Sequence, residues 1–329
     1  MEQLPALGRA IYQVVGPTVQ AYAPLLLARE SEIRSTRREE YSFGPHERQT
    51  LDVYYPSEET IAQQKGRPQK VLVFVHGGGF VFNSKRNEEH SGGLTYGNVA
   101  HFFAARFGYT AVVTNYRRFD HGAVYPSGGE DVAAVLRWIA EELPSRHAGY
   151  EAGTDIFLLG NSAGGVHAAT YALDPALAGA RDLFTIDAGA RRGDRTGALL
   201  RGIVFLGMPA HFKNMPAGPM QEPLGAYYGD DHYARSPIGL VEAAKGRGDA
   251  RPPTRGTPYL ALTSELDPDD ILQPNQDFAE VWPWKDLLKV ESIPGHNHIS
   301  PPLGLATGVE KEEEWGVKLA VWCEACVKE

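Results

Sequence analysis

Five short, mostly apolar runs recur along the chain, and stretches with apolar residues at helical spacing lie between them. Runs of this kind are typical of strands that are buried on both faces of a sheet. Strands that alternate with helices predict an α/β fold, in which helices cover both faces of a mostly parallel sheet. The runs are residues 71–75, 110–114, 156–159, 202–206 and 259–263, and the helical stretches are 98–107, 130–142 and 162–173.

Three further strands are predicted outside this central pattern. Residues 39–43 and 50–55 form a strand pair around the turn at Gly44-Pro45, and residues 287–293 form a last strand. The predicted sheet therefore has eight strands. Ligands of such sheets bind at the carboxyl ends of the strands, so the loops that follow those ends are the places to search for a site.

Two segments stand apart from the predicted sheet. Apolar residues repeat at helical spacing over residues 4–28, with breaks at Gly16-Pro17 and Pro24. We expect two short amphipathic helices there, in an N-terminal cap segment of residues 1–38, although the same faces could cover a sheet or form a homodimer contact. The main domain is then residues 39–329. Its Gly- and Pro-rich insertion at residues 208–257 is much longer than a usual connection and is expected to form a lid.

Composition excludes several classes of function. An apolar fraction of 43% and a charged fraction of 22% are typical of a soluble globular protein, and a net charge of -9 gives no basic surface for nucleic acid. The sequence contains no P-loop, no dinucleotide motif and no histidine cluster at ligand spacing, so we expect no cofactor and no metal. No apolar stretch has transmembrane length and no signal peptide is recognisable, so a cytoplasmic location is expected.

The cysteines give no disulfide framework, because the chain has only Cys323 and Cys326. Their spacing is also that of a redox or zinc pair. However, Cys326 falls on one helical face with Trp315, Leu319 and Trp322, and no second pair completes a zinc site. We interpret both cysteines as residues of a buried helix.

The run at residues 156–159 leads into Gly160-Asn161-Ser162-Ala163-Gly164, which spells G-x-S-x-G between a predicted strand and a predicted helix. This pattern is typical of a nucleophile elbow. A serine on so tight a turn has strained backbone angles, and bulky neighbours would collide with the strand or the helix. Ser162 is therefore a candidate nucleophile.

A second glycine-rich loop, His76-Gly77-Gly78-Gly79-Phe80, directly follows the strand at residues 71–75. An ordinary turn needs at most one or two glycines. A loop that points backbone N–H groups at a bound oxyanion benefits from having no side chains in the way. This loop is a candidate oxyanion hole.

A nucleophilic serine needs a histidine that takes its proton and an acid that orients the histidine. Three acids follow the strand at residues 259–263, and two histidines follow the last strand. The candidates are Glu265, Asp267 and Asp269 for the acid, and His296 and His298 for the base. They occur in the order serine, acid, histidine along the chain.

With these motifs in this order over roughly residues 40–325, the chain resembles an α/β-hydrolase of the hormone-sensitive-lipase and kynurenine-formamidase branch. The resemblance implies that Ser162 is the nucleophile and Asp267 the orienting acid. It favours His298 as the base, since the family histidine precedes an apolar residue and Ile299 follows His298. It also implies an oxyanion hole formed by the amides of Gly78, Gly79 and Ala163.

The expected activity is that of a serine hydrolase, which cleaves a carboxylic ester of a small to medium organic molecule through an acyl-enzyme. Phe80, Tyr227 and Tyr228 are candidate substrate-binding residues. Two alternatives stay open at this point. The same triad could hydrolyse an amide or lactone, as an arylformamidase does, or the scaffold could serve a small-molecule binding protein or a non-hydrolytic enzyme.

Overall fold

The computed structural model describes residues 2–88, 90–147, 149–184, 197–213 and 221–328, and these contain one eight-stranded sheet. The strands are β1 (Arg38–Ser42), β2 (Thr50–Tyr54), β3 (Gln69–Val75), β4 (Thr110–Thr114), β5 (Thr154–Asn161), β6 (Ala198–Leu206), β7 (Tyr259–Leu266) and β8 (Leu288–Asn297). Their order across the sheet is β1-β2-β4-β3-β5-β6-β7-β8. β2 is antiparallel to β1 and to β4, and the other neighbouring pairs are parallel, so the sheet is mostly parallel, as predicted.

Helices connect the parallel strands and cover both faces of the sheet. They are α1 (Ile11–Ala28), α2 (Glu30–Ser35), α3 (Glu58–Gln63), α4 (Gly97–Phe107), α5 (Ser127–Glu141), α6 (Leu143–Arg146), α7 (Ala163–Leu173), α8 (Ala178–Arg181), α9 (Gln221–Tyr228), α10 (Pro237–Gly246), α11 (Asp269–Val281), α12 (Ser300–Gly304) and α13 (Glu310–Lys328). Among the described residues, no helix is both long and apolar enough to cross a membrane.

The sheet separates two hydrophobic cores, because successive side chains of a strand point to opposite faces. In β3, Val71, Val73 and Val75 pack with apolar residues of α5, α7, α10 and α11. Leu72 and Phe74 pack on the other face with residues of α1, α4 and α13. Every strand position in this centre is therefore buried, which explains the continuous apolar runs in the sequence.

The N-terminal segment differs from the prediction of two short helices, since α1 is a single helix of 18 residues with Pro17 and Pro24 inside it. A proline in a helix removes the hydrogen bond to the carbonyl group four residues earlier, here those of Gln13 and Gln20. These prolines and glutamines all lie on the exposed face, where water can solvate the carbonyl groups. The buried face carries Val14, Thr18, Tyr22 and Leu26 at intervals of four residues, and its packing keeps the helix continuous.

The insertion at residues 208–257 is more regular than its Gly- and Pro-rich composition suggests. It contains α9 and α10, while residues 214–220 lie outside the described part. Ser236 caps α10 by accepting a hydrogen bond from the Gly239 amide, and Pro237 occupies the first turn. Ile238 and Val241 bury one face of the helix in the core. These parts of the insertion are therefore helical, although the segment is rich in glycine and proline.

Candidate active site

Ser162 lies at the sharp turn between β5 and α7, with backbone angles of φ 50° and ψ -118°. A positive φ is unfavourable for a serine and persists only where the surrounding structure enforces it. Part of that enforcement comes from the next strand, because the Ser162 amide donates a 2.8 Å hydrogen bond to the carbonyl oxygen of Leu206. The turn leaves the serine side chain half-buried at the carboxyl end of the sheet.

The glycines around the serine are required by packing. A Cβ atom on Gly160 would lie 2.4 Å from the Gly164 carbonyl oxygen, and one on Gly164 would lie 2.1 Å from the Val75 carbonyl oxygen. A Cβ atom on Gly165 would approach Cβ of Met208 to 2.9 Å. Real Cβ atoms essentially never come closer than 3.0 Å. The glycines therefore allow α7 to begin directly against β3 and β5.

Ser162, His298 and Asp267 form a continuous hydrogen-bonded chain. Nε2 of His298 lies 3.0 Å from Oγ of Ser162, and Nδ1 of His298 lies 2.7 Å from Oδ1 of Asp267. Because an ionised carboxylate only accepts hydrogen bonds, Nδ1 carries the proton and Nε2 presents its lone pair to the serine hydroxyl group. The second carboxylate oxygen of Asp267 accepts a 2.6 Å hydrogen bond from the Ser264 amide. This arrangement fits a serine nucleophile with a histidine base.

The members of the chain come from three loops that follow β5, β7 and β8. Asp267 is fully buried and His298 is 5% exposed, so the hydrogen bond between them is shielded from water. Between them, Gly207 follows β6 with φ +58°, and a Cβ atom there would lie 3.0 Å from Cε1 of His298. The glycine thus leaves room for the imidazole ring.

The alternative histidine points elsewhere. Nδ1 of His296 lies 2.9 Å from Oγ of Ser300, and Nε2 lies 3.5 Å from Oε2 of Glu312. Burial lowers the pKa of His296 to about 4, so its ring is neutral near pH 7. His296 therefore belongs to a buried polar network that connects β8 to α12 and α13.

The alternative acids are exposed, in contrast to Asp267. The carboxylate of Glu265 accepts a hydrogen bond from the Gly295 amide at 2.7 Å. Asp269 begins helix α11, where a negative charge suits the positive end of the helix dipole. The structure brings only Asp267 of the three into contact with a histidine of the β8 loop.

The glycine-rich loop after β3 has two positive φ angles, 128° at Gly78 and 57° at Gly79. Within the described part of the chain, the amides of Gly78, Gly79 and Ala163 have no hydrogen-bond acceptor. The carbonyl oxygen of Gly77 accepts hydrogen bonds from Nδ1 of His76 at 2.7 Å and from Nδ2 of Asn83 at 3.3 Å. Since Gly77 C=O and Gly78 N–H belong to the same trans peptide, these two bonds fix the direction of the Gly78 amide.

The three predicted substrate-binding residues lie together in a buried aromatic cluster. The ring of Phe80 stacks on that of Tyr227 with 5.2 Å between centroids and meets Tyr228 edge-on at 6.0 Å. The Tyr227 hydroxyl group accepts a hydrogen bond from the Gly128 amide at 3.0 Å. All three side chains are buried in this conformation. They therefore form a packed wall that starts at the glycine-rich loop.

Three polar residues that contact the site were not found from the sequence. Asn83 orients the glycine-rich loop, Asn297 adjoins His298, and Arg9 donates from Nη1 to the backbone oxygen of Asp267 at 3.0 Å. Asn297 directly follows His296 and precedes His298, which could have drawn attention to it. Asn83 lies outside the glycine motif that it contacts, and Arg9 contacts a distant part of the chain, so neither residue belongs to a recognisable pattern.

Acidic, histidine and cysteine side chains are the usual protein ligands of metal ions. In the described ranges, no three or more such residues come close enough together to hold an ion.

One family model and several solved structures are similar to this chain. Residues 51–184, which include the glycine-rich loop and the elbow, match the BD-FAE family model. The sequence matches none of the curated proteins.

Several solved esterase structures are similar to this one. Esterase B from Lactobacillus rhamnosis is 18% identical, with a TM-score of 0.63 over 100% of this chain and 97% of that chain. An esterase from Pyrobaculum calidifontis is 19% identical, with a TM-score of 0.58 over 97% of this chain and 94% of that chain. Esterase 2 from Thermogutta terrifontis, phosphoramylated by tabun, is 17% identical, with a TM-score of 0.57 over 86% and 94%. The prediction of an α/β-hydrolase fold is confirmed by these structures.

Proposed function

We propose that this protein is a serine hydrolase that cleaves a carboxylic ester of a small to medium organic molecule. The observation that carries the proposal is the hydrogen-bonded chain from Asp267 through His298 to Ser162, which ends on a serine held at positive φ. A serine hydroxyl group is a poor nucleophile by itself, and this chain supplies the base that it needs.

In the first half of the reaction, Oγ of Ser162 attacks the acyl carbon while Nε2 of His298 takes the hydroxyl proton. Asp267 holds the imidazole in the required tautomer and stabilises the imidazolium that forms. The histidine then gives its proton to the departing alcohol oxygen. The products of this half are the free alcohol and an acyl group bound to Ser162.

The negative charge that develops on the carbonyl oxygen requires hydrogen-bond donors. We assign this role to the amides of Gly78, Gly79 and Ala163, which have no acceptor among the described residues. Each such donor typically contributes about 3 kcal/mol to stabilising the transition state. In the second half, His298 deprotonates a water molecule, which attacks the acyl group and releases Ser162.

The comparisons support an ester as the substrate, since the similar structures are described as esterases. In one structure, the Lactobacillus enzyme is inhibited by a tributyrin phosphonate. The Thermogutta enzyme was phosphoramylated by tabun. Reagents of this kind react with an activated serine, so the proposal extends the same reactivity to Ser162.

We also propose that the insertion at residues 208–257 forms the lid and one wall of the substrate pocket. The ring of Phe212 lies edge-on to that of Phe80, with 6.4 Å between centroids, and Tyr227 stacks on Phe80. These contacts join the insertion to the glycine-rich loop. A substitution in the insertion would therefore alter the shape of the pocket next to the scissile bond. This is expected of a segment that selects substrates.

The test is turnover of p-nitrophenyl butyrate by the wild type and by Ser162→Ala. We expect the variant to lose at least about a thousandfold in kcat while keeping the far-UV circular dichroism of the wild type. A fluorophosphonate should label only the wild type, at Ser162. Undiminished turnover by Ser162→Ala would exclude the proposed nucleophile, and faster cleavage of an aryl formamide than of the matching aryl ester would favour amide hydrolysis.

A further inference from the structure

The N-terminal helix α1 contacts the loop that carries His298. Nδ2 of Asn297 donates a 2.8 Å hydrogen bond to Oγ1 of Thr18, and both side chains are fully buried. Oδ1 of Asn297 accepts hydrogen bonds from the amides of Ile299 and Ser300, each at 3.0 Å. Because these amides can only donate, the oxygen end of the Asn297 side chain must face them and the nitrogen end must face α1. The orientation of the bond to Thr18 is thus determined by the backbone.

The Asn297 side chain connects the backbone before His298 to the backbone after it. Asn297 precedes the histidine, and its oxygen holds the backbone of the two residues that follow it. A shift of the Asn297 side chain therefore moves the turn on which the imidazole is mounted. His298 must keep 3.0 Å to Ser162 and 2.7 Å to Asp267, and hydrogen bonds weaken steeply when such distances and angles change.

Loss of the Thr18 hydroxyl group would have a direct effect on Asn297. The amide nitrogen is buried, so water cannot reach it without a rearrangement. A buried donor that has lost its acceptor favours another rotamer in which it finds one. Any such rotamer would give up the hydrogen bonds that Oδ1 makes to the Ile299 and Ser300 amides.

We propose that Thr18, through Asn297, is a positioning residue for His298, so that α1 supports the catalytic histidine in addition to covering the sheet. This inference rests on the proposed function, in which His298 is the base. Small misplacement of a catalytic group lowers the rate of the chemical step more than it lowers ground-state binding. The effect should therefore fall on kcat and leave KM nearly unchanged.

The experiment uses the full chain with Thr18→Val, which keeps the shape but removes the hydroxyl group, and Thr18→Ser, which restores it. Thr18→Ala serves as a second hydroxyl-free variant. We expect both hydroxyl-free variants to show about tenfold lower kcat on p-nitrophenyl butyrate and about tenfold slower fluorophosphonate labelling of Ser162. KM should stay within about twofold of wild type, and Thr18→Ser should be within about twofold of wild type in all three quantities.

Val14→Ala is the matched control, since Val14 lies one turn earlier on the same buried face of α1. It loosens the packing of the buried face of the helix but leaves the Thr18 hydroxyl group in place, so kcat should stay unchanged. Wild-type kcat in a folded Thr18→Val protein, or an equal loss of kcat in Val14→Ala, would overturn the positioning role alone. A wild-type protein that neither turns over the ester nor is labelled at Ser162 would overturn the proposed function and the positioning role with it.

Discussion

At Gly164, a methyl group would meet the carbonyl oxygens of Val75 and His76 at 2.1 Å and 2.6 Å. Both atoms belong to backbone that cannot yield without moving the glycine-rich loop. We expect Gly164→Ala to lower the free energy of unfolding by about 1 to 3 kcal/mol, the usual range for overpacking. Urea titration measures the change.

Gly225→Ala provides the control for that experiment. Gly225 lies exposed in α9, and a Cβ atom there would meet nothing within 4 Å. Alanine is the better helix former, so this variant should gain about 0.5 to 1 kcal/mol. If Gly164→Ala were as stable as the wild type, the packing argument for the elbow glycines would be wrong.

The two histidines of the β8 loop give a second prediction. His298→Asn should lower kcat/KM for an ester by at least about a thousandfold, because it removes the base. His296→Asn should keep kcat/KM within about threefold below its melting temperature, although it breaks the buried contact with Glu312. Steady-state kinetics on both purified variants shows which of the two histidines the reaction requires. The reverse pattern would move the proposed base to His296.

Asn83 gives a third prediction, since it helps to fix the peptide that carries the Gly78 amide. Asn83 has φ 68°, so glycine can replace it without backbone strain. Asn83→Gly removes the side-chain hydrogen bond to Gly77, together with those to Tyr96 and Asn87, and we expect about tenfold lower kcat with little change in KM. A rise in KM with unchanged kcat would contradict this role and indicate a contact with bound substrate instead.

Sequence motifs predicted the chemistry of these residues better than their placement. Ser162 and the glycine-rich loop are local patterns, and each lies directly after its strand. His296 and His298 have the same chemistry and lie two positions apart, so residue type alone could not separate them. Their directions differ because Asn297 turns the chain after β8 into α12, through a local hydrogen bond from the Ser300 amide and a second bond to Thr18, which is distant in sequence.

At the level of secondary-structure elements, α1 is a helix that tertiary packing keeps continuous although proline normally breaks helices. Pro17 lies exposed in the middle of the helix, and the Gln13 carbonyl group lacks its usual partner. We expect Pro17→Ala to raise the free energy of unfolding by about 1 to 2 kcal/mol by restoring that hydrogen bond. The gain is smaller than the full cost of a helical proline, because proline also restricts the unfolded chain.

Thermal unfolding of Pro17→Ala measures this change. Gly16→Ala, at an exposed neighbouring position with nothing near its Cβ, should raise stability by a smaller amount, about 0.5 to 1 kcal/mol. A lower melting temperature for Pro17→Ala would show that the proline fits α1 better than alanine does.

Strands could be predicted from the sequence where both of their faces are buried, because such strands appear as continuous apolar runs. The run at residues 71–75 is the apolar part of β3, which backbone pairing with β5 extends back to Gln69. β8 continues past the predicted end at residue 293 to Asn297 for the same reason. The helices of the insertion were missed because their apolar faces are short and interrupted by glycine and proline. Tertiary packing and the Ser236 cap stabilise α10 there.

At the scale of the whole molecule, the site depends on a strand order that no local pattern contains. β3 and β5 are neighbours in the sheet, although β4 lies between them in sequence. This neighbourhood places the glycine-rich loop beside the elbow. The loops after β7 and β8 then reach Ser162 past Gly207 at the end of β6. The motifs predicted that these loops meet, and the sheet order explains how.

Stability at acid pH follows from three buried histidines. Burial lowers the pKa of His76 and His167 to about 3 and that of His296 to about 4. In the unfolded chain, a histidine ionises near its ordinary pKa of about 6.5. As pH falls below that value, the unfolded chain takes up protons first. The stability that these groups contribute is therefore complete above about pH 6.5 and is lost as pH falls toward 3 to 4.

His167 allows this to be tested at one position. Neither ring nitrogen of His167 has a hydrogen-bond partner among the described residues, so His167→Leu removes the ionisable group without breaking such a bond. At pH 7.5 we expect the variant and the wild type to unfold with free energies within about 1 kcal/mol. Between about pH 6 and pH 4 the wild type should lose stability faster, by about 1.4 kcal/mol per pH unit, because one more proton binds on unfolding. Urea titrations at four pH values measure both slopes, and parallel slopes would show that His167 is not buried in its neutral form.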